Sequence, residues 1–287
     1  MNISYYLIRW GGFVVAQIPL PVLYVLSDLL AWIASDIVRY RRDVVMQNLR
    51  TAFPEKSEKE YRKLAKEFYR NFTDIMVESF KLLARHKNLL SKRVRLKNPE
   101  ILEKLKAGNR SILAVGGHYC NWEWLGISMS PLFGMRGIVT YKPLSSQVID
   151  RLMREVRETA GSEMVSMSQT YRTVVSSKVP VATLLVADQA PDPKNSYWTT
   201  FLNQDTPVFL GAERIARSTG HVVVFLAMRR EKRGYYSVEI QLLSENPKET
   251  EEYEITELHL RALENLIIEQ PSWWLWSHKR WKHKRNV

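Results

Sequence analysis

Cysteine is almost absent from this chain of 287 residues, because Cys120 is the only one. A single cysteine excludes an internal disulfide framework and any cysteine-rich zinc or iron–sulfur site, and it favours a reducing compartment for the chemistry. Glycine and proline are sparse at 12 residues each, which excludes a collagen-like chain. Since 45% of the residues are hydrophobic, burial can offset the entropy of ordering. We therefore expect a globular protein, with one domain and room for an appendage.

Acidic residues are in deficit. Asp and Glu number 30 against 42 Lys and Arg, so the formal charge is +12 at pH 7. This balance attracts partners that carry phosphate or carboxylate groups. Nucleic acid, anionic lipid and an acidic carrier protein all meet that requirement.

Charged residues are missing from residues 10–27, a run of 18 that is just long enough for a membrane segment. Pro19 and Pro21 would bend such a helix and Asp28 is costly in hydrocarbon, so a tilted or interfacial helix fits as well as a span. A cleavable signal is not indicated, because no basic n-region or small-residue cleavage site brackets a compact apolar run. Basic residues come after it, as beside a membrane segment: Arg39, Arg41 and Arg42. The alternative is a buried core helix with a basic end.

The middle of the chain predicts one long helix and then an alternation of strands and helices. Ser57 and Glu60 form a capping box for an amphipathic helix over about residues 58–84. Short β-rich runs come next at 111–115, 136–141, 164–167, 181–187, 222–227 and 235–243, with helices predicted at 122–129, 147–159, 207–218 and 253–269. This alternation indicates an α/β fold with a largely parallel sheet flanked by helices, and the last strand alternates as an antiparallel or edge strand does.

These patterns divide the chain into three parts. Residues 1–34 are expected to form a membrane anchor or interfacial helix, residues 35–100 a helical region, and residues 101–287 the α/β domain with a basic, tryptophan-rich tail. That tail interleaves four tryptophans with five Lys or Arg over residues 273–285. Tryptophan and basic side chains together favour a bilayer interface, and they would also suit nucleic acid.

The sharpest local pattern is GGHYCNWE at residues 116–123, where a buried strand gives way to a helix. Sites form at such strand ends in α/β sheets. We expect Asn121 to cap the helix and Glu123 to fold back toward His118, since a carboxylate that holds an imidazole makes it a general base. A structural His–Glu pair is the alternative.

A cysteine nucleophile and a metal site are two other chemistries to compare with a histidine base. Cys120 lies two residues from His118, which invites a cysteine nucleophile, but adjacency in sequence seldom gives the needed geometry. Three other histidines show no metal-ligand spacing: His86, His221 and His259. We predict no metal site and no cofactor.

His118 followed by four residues and Glu123 resembles the His-x4-Asp/Glu motif of the glycerolipid acyltransferase superfamily. The surrounding sequence is similar to its lipid A secondary (late) acyltransferase branch, which includes lauroyl and myristoyl acyltransferases. The similarity covers nearly the whole chain through ordered motifs, which are NLRTAFP at 48–54, YKP at 141–143 with Asp150 and Arg157, ADQ at 187–189, Gly211, and WSHKRWK at 276–282.

The resemblance implies a membrane-associated enzyme that moves a fatty acyl chain onto a hydroxyl of a lipid A precursor. The donor is usually acyl carrier protein, with acyl-CoA as the other option, and the location is the cytoplasmic face of the cell inner membrane. Nucleic acid is not an expected partner.

The resemblance also implies roles for particular residues. His118 would be the general base and Glu123 its partner, while Arg157 would engage a phosphate or position the substrate. The other substrate-binding residues would be Tyr141, Lys142, Asp188, Gln189 and Gly211. Glu123 stands where the family often has Asp, and Lys142 stands where it often has Arg and cannot make a bidentate phosphate contact. Without the resemblance, Arg157 would be taken for a solvated residue and Asp188 for a turn residue.

Two rival functions remain open. An acyltransferase of the same fold could act on another acceptor, such as a lysophospholipid, an aminolipid or another glycolipid. A non-enzymatic basic protein that binds membranes or nucleic acid is the remote alternative, and it predicts steeply salt-dependent binding to nucleic acid.

Overall fold

The long helix begins at the predicted capping box. The computed structural model describes residues 3–84 and 88–285. In it, Glu60 N donates to Ser57 Oγ over 3.4 Å, and the Glu60 carboxylate accepts from Ser57 N over 2.8 Å. The prediction of a cap is confirmed. The helices before the sheet are α1 (Ile3–Gln17), α2 (Leu20–Trp32, continued by a π-helical turn over Ile33–Ile37), α3 (Arg42–Ala52) and α4 (Glu58–Lys81, with a 3-10 turn after it over Leu82–Ala84).

Strands and helices then alternate as predicted. The strands are β1 (Val94–Leu96), β2 (Ile112–Gly116), β3 (Arg136–Tyr141), β4 (Glu163–Ser166), β5 (Val181–Val186), β6 (Tyr197–Phe201), β7 (Gln204–Val208), β8 (Val222–Lys232) and β9 (Tyr235–Ser244). The helices between and after them are α5 (Pro99–Ala107), α6 (Trp122–Ile127), α7 (Met129–Phe133), α8 (Gln147–Arg157), α9 (Met167–Val175), α10 (Gly211–Thr219) and α11 (Glu254–Glu269), with 3-10 turns over Pro193–Asn195 and Pro271–Trp273.

The main sheet has seven strands in the order β1-β9-β8-β2-β5-β3-β4. Only β8 and β9 pair antiparallel within it, so the expected α/β fold with a largely parallel sheet is confirmed, including the antiparallel last strand. The small hairpin of β6 and β7 was not predicted. The helix predicted from residue 207 begins at Gly211 instead, because Pro207 and Val208 pair with β6.

Alternate residues of β2 face opposite sides of the sheet, and both sides are buried. Ile112 and Ala114 join one apolar cluster with α2, α4 and α6. Leu113 and Val115 join the other with α9, α10 and α11. Because β2 lies at the centre of the sheet and is covered on both faces, the loop after its carboxyl end is anchored on a rigid strand.

Candidate active site

The register of two neighbouring strands brings His118 and Asp188 together. Gly116 at the end of β2 pairs with Val186 at the end of β5, and the two strands are parallel. Each side chain comes two residues after its paired strand residue, so both emerge at the same carboxyl edge of the sheet. Gly117 lies close to both partners of this edge, since an added Cβ would lie 2.7 Å from Leu263 Cδ1 and 3.2 Å from Asp188 Oδ2 and would crowd these side chains.

Asp188 holds the imidazole and the backbone of His118 at once. Its Oδ1 lies 2.7 Å from His118 Nδ1, and its Oδ2 accepts from His118 N over 2.9 Å and from Trp274 Nε1 over 2.7 Å. Burial alone would raise the pKa of the Asp188 carboxyl, but attraction to His118 and these hydrogen bonds outweigh burial and lower the pKa to about 2. The aspartate therefore stays ionised beside the imidazole.

The second nitrogen of His118 faces a more open side of the site. The His118 side chain is 21% exposed, whereas that of Asp188 is 3% exposed. Gln189 Nε2 lies 3.2 Å from His118 Nε2, and the Trp122 ring packs edge-on against the imidazole at 5.6 Å between centroids. With Nδ1–H donated to Asp188, Nε2 carries the lone pair that accepts from the Gln189 amide.

Glu123 does not fold back onto His118, so that expectation is wrong. Its carboxylate receives both Arg157 Nε and Arg157 Nη2, over 2.9 and 2.7 Å. The two side chains are 8% and 20% exposed. Burial acts to lower the pKa of Arg157, but the hydrogen bonds and charge of Glu123 outweigh it and raise the pKa. The motif glutamate thus holds the arginine of α8, and the acid that comes after β5 takes the place at the imidazole.

Backbone contacts fix the loop that carries His118. Cys120 N donates to Trp273 O over 3.0 Å, and Leu275 N donates to His118 O over 3.1 Å. Cys120 itself has φ of 55°, in the left-handed region, and is 1% exposed. Burial raises the pKa of its thiol well above the ordinary value. Because the thiolate is the nucleophilic form of cysteine, this environment disfavours a Cys120 nucleophile.

Asn121 caps α6 as predicted, and a buried acid orients it. Asn121 Oδ1 accepts from Trp124 N over 2.9 Å, while Asn121 Nδ2 donates to Glu78 Oε2 over 2.5 Å. Glu78 also accepts from the hydroxyls of Tyr24 and Tyr236, over 2.7 Å each. Burial raises the pKa of Glu78 to about 7. Sequence patterns gave no sign of Glu78, because it lies in the interior of α4.

The tryptophan-rich tail is part of the core, so the expectation that its rings sit at a membrane surface is wrong. Trp274 is 2% exposed and Trp276 is fully buried, and their ring centroids are 4.8 Å apart. Arg280 is also fully buried, with Nη2 donating to Pro207 O over 2.7 Å. His278 Nε2 accepts from Ala190 N over 3.2 Å. The tail therefore forms the wall behind Asp188, and the role of Trp274 as a donor was missed.

Two of the remaining predicted residues lie on the sheet edge that carries His118. Tyr141 and Lys142 lie at the end of β3 on the same sheet edge, with Tyr141 half-buried and Lys142 exposed. Gly211 begins α10 and is exposed. Within residues 3–84 and 88–285, no cluster of three or more His, Cys, Asp or Glu could hold a metal ion. His86 lies outside the described residues, and His221 and His259 belong to no such cluster.

Comparison with known proteins gives one family. The family model for the bacterial lipid A biosynthesis acyltransferase matches residues 2–283. The sequence is 26% identical over 285 residues to the lipid A biosynthesis lauroyltransferase of Escherichia coli (strain K12). The matched region covers 96% of this chain and 92% of that relative. It is 23% identical over 283 residues to the palmitoleoyltransferase of lipid A biosynthesis from the same strain, with the same coverage. A lipid A biosynthesis acyltransferase of Shigella flexneri is also 23% identical over 283 residues.

Proposed function

Because the chain belongs to the bacterial lipid A biosynthesis acyltransferase family, we propose that it transfers a fatty acyl chain from acyl carrier protein to a hydroxyl of a lipid A precursor. The chain is a transferase, as its relatives are named. The observation that carries the proposed mechanism is the 2.7 Å contact between His118 Nδ1 and Asp188 Oδ1 at the carboxyl edge of the sheet. A histidine held at Nδ1 by a carboxylate presents Nε2 as a base.

His118 Nε2 takes the proton of the acceptor hydroxyl as the hydroxyl oxygen attacks the carbonyl carbon of the thioester. The new C–O bond forms, and the carbonyl electrons move to oxygen to give a tetrahedral oxyanion. When that oxyanion collapses, the C–S bond breaks and the imidazolium returns its proton to the leaving sulfur. The products are an ester and a free thiol, and His118 is neutral again. Asp188 stabilises the imidazolium in between.

In this proposal the acceptor hydroxyl binds where the Gln189 amide now lies. Its amide lies 3.2 Å from His118 Nε2, the distance that a hydroxyl needs in order to be deprotonated. The acceptor hydroxyl takes the place of this amide on the imidazole. Because a direct transfer needs no covalent enzyme intermediate, the buried thiol of Cys120 has no part in it.

Arg157 binds a phosphate of the acceptor in this proposal, and Glu123 positions it. Glu123 occupies Nε and Nη2 of the guanidinium. Among the described residues, Nη1 of Arg157 has no hydrogen-bond partner. A guanidinium that is held on one edge and free on the other is suited to a phosphate oxygen. Lys142, Tyr141 and Gly211 are the further residues assigned to substrate in this proposal.

The charge and the N-terminal helices support the choice of partners. A formal charge of +12 favours an acidic carrier protein and a phosphorylated lipid alike. The outward faces of α1 and α2 expose large apolar side chains, among them Trp10 at 69% and Val25 at 71%. We place the enzyme at the cytoplasmic face of the inner membrane, where a protein-bound donor and a lipid acceptor can meet.

Mass spectrometry of lipid A tests the proposal. Lipid A is compared between isogenic cells that lack the gene and cells that express the wild type, His118→Ala or the matched control His283→Ala. We expect the deletion and His118→Ala to give a species lighter by one acyl group, and the wild type and the control to restore it. Full restoration by His118→Ala would overturn the mechanism. Unchanged lipid A with a change in another lipid would move the acceptor to that lipid.

A further inference from the structure

The apolar stretch near the N-terminus has one polar side, and that side faces the body of the protein. Among the described residues, Leu20–Ile37 is the helical stretch long and apolar enough to cross a membrane, and 33% of it is buried. Tyr24 OH donates to Glu78 Oε1 over 2.7 Å, and Ser27 Oγ donates to Asp74 Oδ1 over 2.7 Å. Both partners lie in α4, which runs antiparallel beside α2.

Charged contacts continue this polar side at both ends of α2. Asp28 forms ion pairs with Arg233 at 2.9 Å and with Arg70 at 3.3 Å, so it bonds to the β8–β9 turn and to α4. At the other end, Lys81 Nζ donates to Ala16 O over 2.6 Å and to Ile18 O over 2.9 Å, at the break between α1 and α2. Asp28 is the residue that made a membrane span costly in the sequence. Its charge is therefore paired with arginines of the protein itself.

The opposite side of α1 and α2 is apolar and exposed. Its large residues recur three and four positions apart, as on one face of a helix. The residues of this repeat are Tyr6, Leu7, Trp10, Phe13 and Val14 in α1, and Val22, Val25, Leu26, Leu29 and Trp32 in α2; Ile8, Val15 and Leu30 are exposed beside them. We call this set the outer face. Monomeric soluble proteins seldom expose an apolar surface of this extent, so it marks an interaction site.

Crossing the bilayer is incompatible with the contacts of the polar side. A perpendicular α2 would carry the adjoining length of α4 and the β8–β9 turn into the hydrocarbon with it. Arg70, whose side chain is 61% exposed, and Arg233 would then be dehydrated, as would Asp28 between them. Charges at the centre of a bilayer cost several kcal/mol each. If α2 lies flat, these groups stay on the water side and only the outer face meets lipid.

Aromatic and basic groups at the edge of the outer face match a phospholipid surface. Trp32 and Tyr40 are exposed at its end, at 54% and 41%, and amphipathic rings of this kind favour the headgroup region. Arg39 and Arg41 stand exposed beside Tyr40, and Arg41 uses Nη1 to donate to Ser277 O. Exposed basic side chains of this kind suit the phosphates of anionic lipid. This charge complementarity selects lipid over another protein as the occupant.

Helix α1 also contacts α8, the helix that carries Arg157. Tyr5 OH and Arg9 Nε of α1 both donate to Glu155, the arginine over 3.1 Å. Two residues later on the same helix, Arg157 pairs with Glu123. Helix α1 is therefore packed directly against the helix that carries Arg157.

Resting on the membrane location proposed above, we infer that α1 and α2 lie in the plane of one leaflet, bound by the outer face, and that neither helix crosses the bilayer. The stretch Leu20–Ile37 spans roughly 27 Å at about 1.5 Å per residue, long enough to cross but aligned along the surface. In-plane helices insert to about 5–10 Å.

A depth profile separates the two orientations. A fluorophore is attached to the full chain at single introduced cysteines, Val22→Cys, Val25→Cys and Leu29→Cys, on vesicles of phosphatidylethanolamine and phosphatidylglycerol. Lipid-borne quenchers then report the depth of each position. We expect all three positions at one shallow depth, and the water-side control Lys63→Cys, whose side chain is 76% exposed, to be unquenched. The wild type reports any labelling of the buried Cys120.

A second measurement tests the outer face itself. Val25→Glu places a charge where we expect lipid, so vesicle binding should weaken about tenfold or more. The matched control is Val179→Glu, which changes an exposed valine at 55% outside the outer face and should leave binding unchanged.

The outcomes are distinct. Depth that increases from Val22 to a maximum near Leu29 at the bilayer centre would overturn the in-plane orientation and leave the membrane location intact. Vesicle binding that survives Val25→Glu unchanged would overturn the outer face as the contact. Absence of vesicle binding by the wild type would instead refute the proposed membrane location, and lipid A analysis would still report on the acyltransferase reaction.

Discussion

Replacing Asp188 by Asn should prevent His118 Nε2 from accepting a proton while keeping the shape of the site. Two N–H donors, His118 N and Trp274 Nε1, point at Asp188 Oδ2 and cannot become acceptors. The new amide must therefore put its oxygen there and its NH₂ group at the position of Oδ1, facing His118 Nδ1. A donor at that point forces the imidazole into the other tautomer, with the proton on Nε2. The nitrogen that should accept the hydroxyl proton is then already protonated.

The size of the effect can be bounded. Loss of the correct tautomer and of the charge that stabilises the imidazolium lowers kcat about 10⁴-fold in hydrolases with the same His–Asp arrangement. We expect a similar loss, about 5 kcal/mol at roughly 1.4 kcal/mol per decade. Folding should suffer less. The pKa of Asp188 is about 2 against an ordinary value of 3.8, so its ionisation stabilises the fold by about 2 kcal/mol above pH 4, and this is lost as pH falls through 2.

Purified enzyme, acyl carrier protein loaded with a fatty acid and a lipid A precursor give the assay, with ester formation measured by mass spectrometry. Asp205→Asn is the matched control, since Asp205 is exposed in the β6–β7 hairpin. Thermal unfolding verifies that each variant is folded. A folded Asp188→Asn enzyme that keeps more than a tenth of the wild-type kcat would refute the assignment of Asp188 as the partner of the base.

Other buried acids and bases give separate predictions. Glu123→Gln weakens the hold on Arg157, so initial-rate kinetics should show KM for a phosphorylated acceptor raised about tenfold with a smaller change in kcat; a kcat loss as large as that of the aspartate variant would contradict this. Burial lowers the pKa of His259 to about 4. Its burial in the neutral form therefore contributes about 3 kcal/mol to the free energy of unfolding above pH 6.5, and this contribution is lost as pH falls through 4. His259→Gln should flatten Tm between pH 7 and pH 5, and an unchanged slope would count against it. Burial raises the pKa of Glu78 to about 7, so the wild type should gain stability relative to Glu78→Gln as pH falls from 8 to 5 in urea titrations, by about 3 kcal/mol; a difference independent of pH would contradict the assignment.

Local patterns were sufficient for much of the fold. The capping box of Ser57 and the N-cap of Asn121 are contacts within four residues, so the sequence contains both partners. The alternation of apolar runs located the main strands from β2 onward because those strands are buried and rich in β-branched residues. The strands that were missed, β1, β6 and β7, are short or lie in a two-stranded hairpin, where the apolar signal is weak.

The partner of His118 could not be found in this way. Its neighbour in sequence, Glu123, was the natural candidate, but Asp188 reaches it across a strand pairing that joins residues 70 positions apart. A single sequence shows where strands are and not which strands are neighbours. The tail was misjudged for another reason. Trp274 and Trp276 have apolar rings and one polar N–H, which suits a membrane surface and a core with a buried acceptor equally.

Three carboxylates lie in or beside the segment at residues 118–123, and each has a different role because its surroundings differ. Glu78 meets only neutral donors in a fully buried position, so burial dominates and its pKa rises. Asp188 meets an imidazole and an indole N–H, so its pKa falls and it can stabilise a positive charge on His118. Glu123 meets the guanidinium of Arg157 in a two-point contact, so its charge is already matched. Only the ionised acid that is not matched by a permanent cation can respond when the imidazole gains a proton. The environment of each acid, and not its spacing from the histidine, therefore favours Asp188 as the partner of His118 in the proposed mechanism, while Glu123 holds the arginine.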